Sequence, residues 1–291
     1  MTLPDPSHPI VVFGGTYSNL RATMRLRDVV EDLAIPPHNV VCTGDVVAYC
    51  AEPVDTATLV RDWGCHVIQG NCEQQLATGA GDCGCNFEEG TACDLLAKGW
   101  YPFSNRQMTP ELRNWMASLP TTLTFAFSGL TFRVVHGGVA ETAGWVFASQ
   151  PELIAQELDA AGADVVLAGH CGVPFISEVG RRVWFNTGAL GMPANDGTPD
   201  VWYGLVTPLG ERSVRLTTHR LAYDHSAAAA AMRRSGHANP YARTLVTGIW
   251  PSLDVFPPAE KAATGRRIAE RARTIGARRR ASASDGARLL G

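Results

Sequence analysis

Short apolar runs alternate with amphipathic stretches through the first quarter of the chain. Residues 9–15, PIVVFGG, form an apolar run ending in glycine, and Leu20, Met24, Val29, Val30 and Leu33 then recur at helical spacing within 18–34. The alternation returns in NVVCTGD (39–45), a helical stretch at 54–63 and CHVIQGN (65–71), so the opening reads as βαβαβ. That order predicts parallel strands, helices packed on their face, and loops gathered at the carboxyl ends of the strands.

From Pro120 the rhythm changes. TLTFAF, SGL and TFRVVHGG read as a β-hairpin running into a loop, a helix is expected at 151–160, and DVVLAGH reads as a short buried strand. FISEVGRRVWFN and VWYGLVTPLGERSVRLTTH add two further hairpins, giving a more antiparallel second half. After Asp224 alanine, arginine and proline take over. This predicts a main domain over 1–222 and a helical extension over 223–291, with a disordered end at ASASDGARLLG. Arg266, Arg267, Arg271, Arg273 and Arg278 to Arg280 are expected on a solvated helix face. The segment 77–93, ATGAGDCGCNFEEGTAC, is glycine-rich, acidic and too long for a simple connector, and such loops often carry function.

Composition narrows the classes of partner. At 291 residues and 45% hydrophobic content the chain can bury a large core. A net charge of -3, from 25 basic and 28 acidic residues, exerts no general pull on nucleic acid or anionic membrane. The C-terminal arginines lack the interleaved aromatics that stack on bases. No apolar run approaches the roughly 20 residues that span a bilayer, and MTLPDPSHP has neither the basic nor the apolar region of a secretion signal. The expectation is a cytoplasmic protein with no membrane partner, nucleic acid disfavoured, and a homo-oligomer compatible with the sequence. Eight cysteines are too sparse for a disulfide scaffold and are expected as thiols.

Four segments each end a predicted strand with glycine beside a metal-competent side chain: TGD (43–45), GNC (70–72), HGG (136–138) and GHC (169–171). Singly, Asp45 reads as a helix cap, Asn71 as a turn residue, and His136 and His170 as hydrogen-bonded structural histidines. Together, a carboxylate, an amide oxygen and two imidazoles at successive strand ends form a ligand set for one divalent transition ion.

In order and spacing these segments resemble the signature of the calcineurin-like metallophosphoesterases, in particular their compact bacterial and archaeal phosphodiesterase-like branch. The matching stretches are GTYSN, GDVVAYCAEP, GNCE, HGG, GHCG and NTGALGMP, spread over residues 9–222. The resemblance implies a four-layer α/β/β/α sandwich of two mixed β-sheets and a hydrolase that uses two metal ions to activate water against phosphorus. It assigns Asp45, Asn71, His136 and His170 to one ion. The other ion's positions are altered: Gly15 stands at the family's aspartate, Tyr17 at its histidine, and Gly172 at the last histidine of its Gly-His-x-His motif, so one ion is expected rather than two.

The expected activity is that of a phosphatase-like hydrolase directing a water, activated by Fe, Zn or Mn, at a small phosphorylated or nucleotide-like substrate. Asp45, Asn71, His136 and His170 are its catalytic and metal residues. Tyr17, Cys50, Cys72, Glu73, Cys171, Asn19 and Asn186 are further candidates for ligation or substrate contact, with Tyr17 preferred as a plug. Cys83, Cys85 and Cys93 could bind metal or form a redox pair, although structural thiols are the default. Two other readings stay open: a non-catalytic ligand-binding or regulatory protein on an altered phosphoesterase scaffold, and an iron-thiolate metalloenzyme doing other chemistry.

Overall fold

The computed structural model describes residues 4–236 and 240–276. The opening follows the expected alternation as β1 (Ile10–Phe13), α1 (Leu20–Asp32), β2 (Val40–Cys42), α2 (Pro53–Trp63) and β3 (His66–Val67). Three helices come next: α3 (Asn71–Thr78), α4 (Ala92–Gln107) and α5 (Pro110–Ser118). Their sequence signal is weak. α4 contains Gly99 and an internal Pro102, which breaks the periodic pattern and removes a backbone donor. Thr91 and Thr109 restore the helix starts, their hydroxyls accepting from the Asp94 and Leu112 amides.

The second half begins with the hairpin β4 (Leu123–Phe127) and β5 (Leu130–Val134). Ser128 and Gly129 join these strands with φ of 49° and 72°, the twist that a two-residue hairpin turn needs. Then come α6 (Pro151–Ala161), β6 (Val165–Ala168), β7 (Pro174–Val179), β8 (Arg182–Thr187), β9 (Val201–Gly210) and β10 (Ser213–Leu221).

The segment after 222 holds α7 (His225–Arg234), α8 (Tyr241–Thr247), α9 (Pro258–Ala262) and β11 (Ala272–Gly276). Helix was expected throughout, but β11 is a strand paired antiparallel with β10, and 266–271 is not helical. Arg273 therefore lies on an edge strand, in an ion pair with Glu178 at 3.1 Å, and not on a helix face. Met232, Tyr241 and Leu245 share the core of the preceding residues, so the segment is built into the body of the molecule. The expected disordered end and Arg278 to Arg280 lie outside the described residues.

Two mixed sheets result, in the orders β11-β10-β9-β1-β2-β3 and β4-β5-β6-β8-β7. Strand alternation sends successive side chains to opposite faces. Ile10, Val12, Val41, Ile68, Leu167 and Phe185 point into a core between the sheets. Val11, Phe13, Val40 and Cys42 face the helices on one side, and Val166 and Trp184 face α6 through Ile154 and Leu158 on the other. Three apolar seams between four layers explain why these strands read as continuous apolar runs. β1, β2, β3, β5 and β6 all release their chains toward one rim, where the functional groups gather.

Candidate metal centre

The loop after β2 turns back sharply at Asp45, whose φ is 59°, and the loop after β6 does the same at His170, at 58°. Side-chain-bearing residues enter this left-handed region at a cost, and they concentrate where a side chain must be aimed at a site. Here both side chains return over the strand ends. Gly70 is required for a different reason: a Cβ there would lie 2.2 Å from Asp45 Oδ1, so only glycine lets the loop after β3 pass the carboxylate.

His136 is the hub. Its Nε2 lies 3.2 Å from Asp45 Oδ2, 3.1 Å from Asn71 Oδ1 and 3.0 Å from His170 Nδ1. Its Nδ1 lies 2.6 Å from the Thr43 carbonyl. A carbonyl only accepts, so Nδ1 carries a proton; the charged ring then donates from Nε2 to Asp45, and once that proton leaves, neutral His136 presents a lone pair at Nε2. Asn71 is held with its carbonyl inward because its amide nitrogen donates to the Cys83 carbonyl at 2.8 Å and approaches Cys85 Sγ at 3.2 Å. Four lone-pair donors therefore face one another, and a single proton on Nε2 can satisfy only one of the other three. A cation satisfies all four: tetrahedral ligands about 2.0–2.1 Å from an ion stand roughly 3.3–3.4 Å apart. The residues present thus fit a divalent metal, and Asp45, His136 and His170 form such a group among the described residues.

Burial sharpens the electrostatics. Asp45, Asn71, His136 and His170 are all 6% exposed or less. Burial alone would raise the Asp45 carboxyl, but His136 and His170 outweigh it and hold the group below the usual carboxylate range. Burial would likewise lower His136, but the Asp45 charge and hydrogen bond raise it above an ordinary imidazole. Burial, followed by His136, pushes His170 down to about 3, which keeps it neutral and its ring available as a ligand.

Glu73 stands behind the centre, not in it. Its carboxylate accepts from the amides of Asp45 at 2.7 Å, Val46 at 2.8 Å and Gly70 at 2.9 Å, tying together the loops after β2 and β3. Burial and then Asp45 push it up to about 7. Its two oxygens are thus engaged by backbone amides that fix the loops presenting Asp45 and Asn71.

The other candidates also have local duties. Asn19 caps α1, accepting from Ala22, while its amide reaches the Gly191 carbonyl and the Tyr223 hydroxyl, both at 3.0 Å. Asn186 donates to the Gly169 carbonyl at 2.6 Å and accepts from the Gly188 amide at 3.0 Å, locking the turn after β6. Cys50 Sγ is directed to the Gly191 carbonyl and Cys171 Sγ to that of Val173. Burial raises the thiols of Cys50, Cys72 and Cys171, the last to about 12, so they remain protonated. The group of converging ligand atoms among the described residues consists of Asp45, His136 and His170, with no cysteine in it. Of the readings of the Cys83, Cys85 and Cys93 loop, the default of structural thiols is corrected for Cys83 and Cys85, whose sulfurs are paired, and Cys93 remains a thiol.

Next to this polar centre the neighbouring positions are filled by aromatic rings. A Cβ on Gly15 would lie 2.2 Å from Tyr17 Cε1, so the buried tyrosine ring occupies the space a side chain at 15 would need. A Cβ on Gly172 would lie 3.2 Å from Trp250 Cζ2. Tyr49 packs against Tyr17, Trp100 and Tyr241 with centroids 4.8, 4.9 and 4.5 Å apart, extending the aromatic wall. Trp145 lies 4.1 Å from the His170 ring, centroid to centroid.

Sequence reasoning did not single out Thr43, Trp145, Tyr241 or Trp250. The GIWPSLDVF stretch carried a usable signal: an apolar and aromatic run in a tail rich in alanine, arginine and proline marks a segment that must be covered.

The fold agrees with comparisons to known proteins. A metallophosphoesterase from Sphaerobacter thermophilus has a similar structure, with 21% identity, a TM-score of 0.65, and coverage of 83% of this chain and 99% of that one. A hypothetical protein from Pyrococcus horikoshii OT3 gives 15% identity, a TM-score of 0.70, and coverage of 82% and 98%. At these identities the likeness speaks for the fold. No curated protein matches the chain. The model of the calcineurin-like phosphoesterase superfamily domain matches residues 9–207, and with most of the chain so covered, this protein belongs to the calcineurin-like phosphoesterase superfamily.

Proposed function

We propose that the protein is a metal-dependent phosphoesterase-like hydrolase that uses one divalent cation against a small phosphorylated or nucleotide-like substrate. The observation that carries the reading is the convergence of Asp45 Oδ2, Asn71 Oδ1 and His170 Nδ1 on His136 Nε2, a set of lone pairs that no single proton can satisfy. When bound, a divalent ion would polarise a phosphoryl oxygen and acidify a water molecule. The chain's own groups do the rest. Asp45, Asn71, His136 and His170 would hold the ion. The carbonyls of Thr43 and Cys83 fix the tautomer of His136 and the rotation of Asn71, and Glu73 fixes the backbone that presents Asp45. One carboxylate among three neutral donors leaves half of a dication's charge uncompensated, which favours an anionic substrate.

The test is hydrolysis of a panel of phosphomonoesters and phosphodiesters under Mn, Zn and Fe(II), with His136→Ala as the control. Turnover that needs metal and disappears in the variant supports the reading. The second reading, a non-catalytic ligand-binding or regulatory protein, is favoured by the aromatic filling at Gly15 and Gly172. Stoichiometric metal uptake with no turnover on any substrate would decide for it.

A further inference from the structure

The loop that joins α3 to α4 crosses the metal centre and contains a Cys83-Gly84-Cys85 sequence whose sulfurs are joined. The Cα atoms of the pair lie 5.4 Å apart, within the span of a disulfide, and both residues are 4% exposed. Gly84 bends the chain between them with φ of 65°. A bridge across one intervening residue closes a very short loop and restrains the unfolded chain little, so it contributes little as a general staple. Its position says more. The Asn71 amide donates to the Cys83 carbonyl and sits 3.2 Å from Cys85 Sγ, so these two residues turn Asn71 Oδ1 toward His136. Two residues further on, Phe87 stacks on Trp145 with centroids 6.1 Å apart, and Trp145 in turn packs on His170. The same short loop thus bears on two of the four donors from outside.

We infer that Cys83 and Cys85 form a thiol–disulfide switch that sets the affinity of the metal centre through Asn71. The bridged state is the one that supports metal binding. The reducing partner is a dithiol. One of its thiolates attacks a sulfur of the pair, forming a mixed disulfide and releasing the other cysteine as a thiolate. Its second thiolate then breaks the mixed bond. In balance, the Cys83–Cys85 bond opens, a disulfide closes in the reductant, two electrons pass to the protein, and the reductant's two protons end on the two cysteine sulfurs. With the bridge open, the Cys83 carbonyl is no longer fixed against Asn71, and the amide can turn its oxygen away. Linkage is reciprocal, so a bound cation must make the bridge harder to reduce.

This inference rests on the metal centre, and the experiment separates the two. Protein oxidised in air and protein reduced with dithiothreitol, then freed of reductant anaerobically, are each titrated with Mn²⁺ in a calorimeter. Cysteine state is assigned by alkylation and peptide mapping. The expected result is an intact bridge in the oxidised sample and an affinity roughly 10–100-fold lower in the reduced one, the loss usual for removing a ligand's outer partner. Mn²⁺ should also raise the dithiothreitol concentration needed to open the pair. The C83S/C85S double variant should bind Mn²⁺ like reduced protein and ignore reductant. If that variant does not fold, the comparison of the two wild-type forms still decides. Equal affinity in both forms, or free thiols at both positions in the oxidised protein, overturns the switch alone. No Mn²⁺ uptake by either form overturns the metal centre and the switch with it.

Discussion

Two adjacent parts of one rim differ sharply in chemistry. Around His136, the polar atoms of Asp45, Asn71 and His170 stand 3.0–3.2 Å from its Nε2, and one proton there cannot pair with all three. Around Gly15 and Gly172, tyrosine and tryptophan rings close the space where side chains would otherwise reach the same rim. The backbone treatment is similar in both, with left-handed residues at Tyr17 and Ser18 as at Asp45 and His170. The difference teaches that similar turns can present very different groups: one half gathers polar atoms with metal-competent chemistry, and the other is packed like a core.

Removing a ligand should break the polar half outright. Asp45→Ala and His136→Ala are each expected to weaken Mn²⁺ binding by more than the roughly 10–100-fold typical of losing an outer partner. Metal-dependent hydrolysis should fall by about 100 to 1,000-fold or more. Titration calorimetry and the substrate panel read the two effects separately. If Asp45→Ala binds metal as the parent does, the donor set is wrong.

Glu73→Gln probes the support behind the ligands. Glutamine offers one acceptor oxygen where the carboxylate serves three amides, and its NH₂ must face a donor. Thermal unfolding should show a loss of about 1–3 kcal/mol, and Mn²⁺ affinity should fall roughly tenfold or more. Unchanged stability would mean that the three amide contacts do not matter.

The response to pH sharpens the contrast, because burial pushes Tyr17 and Tyr49 well above the ordinary tyrosine range and leaves the polar half to change charge near neutral pH. In metal-free protein, burial lowers His136 but Asp45 raises it further, so its folded value lies above its unfolded one. Its contribution to stability is then complete below the unfolded imidazole value near ~6.5 and is lost as pH rises through the folded value. A cation must displace that proton, so metal binding strengthens over the same rise. The gap between melting temperatures with and without Mn²⁺ should widen from about pH 5.5 to 8.5, and a gap that narrows would contradict the assignment of His136.

The aromatic half is tested by a double-mutant cycle. Gly15→Ala should cost about 1–3 kcal/mol beside Tyr17 and far less in a Tyr17→Ala background, because the clash is with that ring. Additive costs would show that Tyr17 does not fill the place of a side chain at 15.

Much of this was legible in the sequence because it depends on local pattern. Strands buried on both faces announce themselves as apolar runs, and the glycine beside each ligand marks where β2, β3, β5 and β6 stop. Gly15 and Gly172 were visible as altered positions. The rings that replace the lost groups were only half visible: Tyr17 is adjacent in sequence, but Trp250 arrives from 78 residues beyond Gly172, out of a tail whose composition hid it. β11 was missed for a related reason. On an edge strand only Ile275 is buried, so ARTIG shows no alternation worth reading. α4 was obscured by its own Pro102. The role of Glu73 lay beyond sequence, since a carboxylate beside a ligand looks like a ligand until its hydrogen bonds are known.

The most direct measurement is an anomalous difference map from crystals grown with Mn²⁺ or Zn²⁺ and recorded at that metal's absorption edge. The account predicts a single peak among Asp45 Oδ2, Asn71 Oδ1, His136 Nε2 and His170 Nδ1, and none beside Tyr17. An absence of density among those four atoms with metal in excess, or a second peak of equal height against the Tyr17 ring, would contradict it.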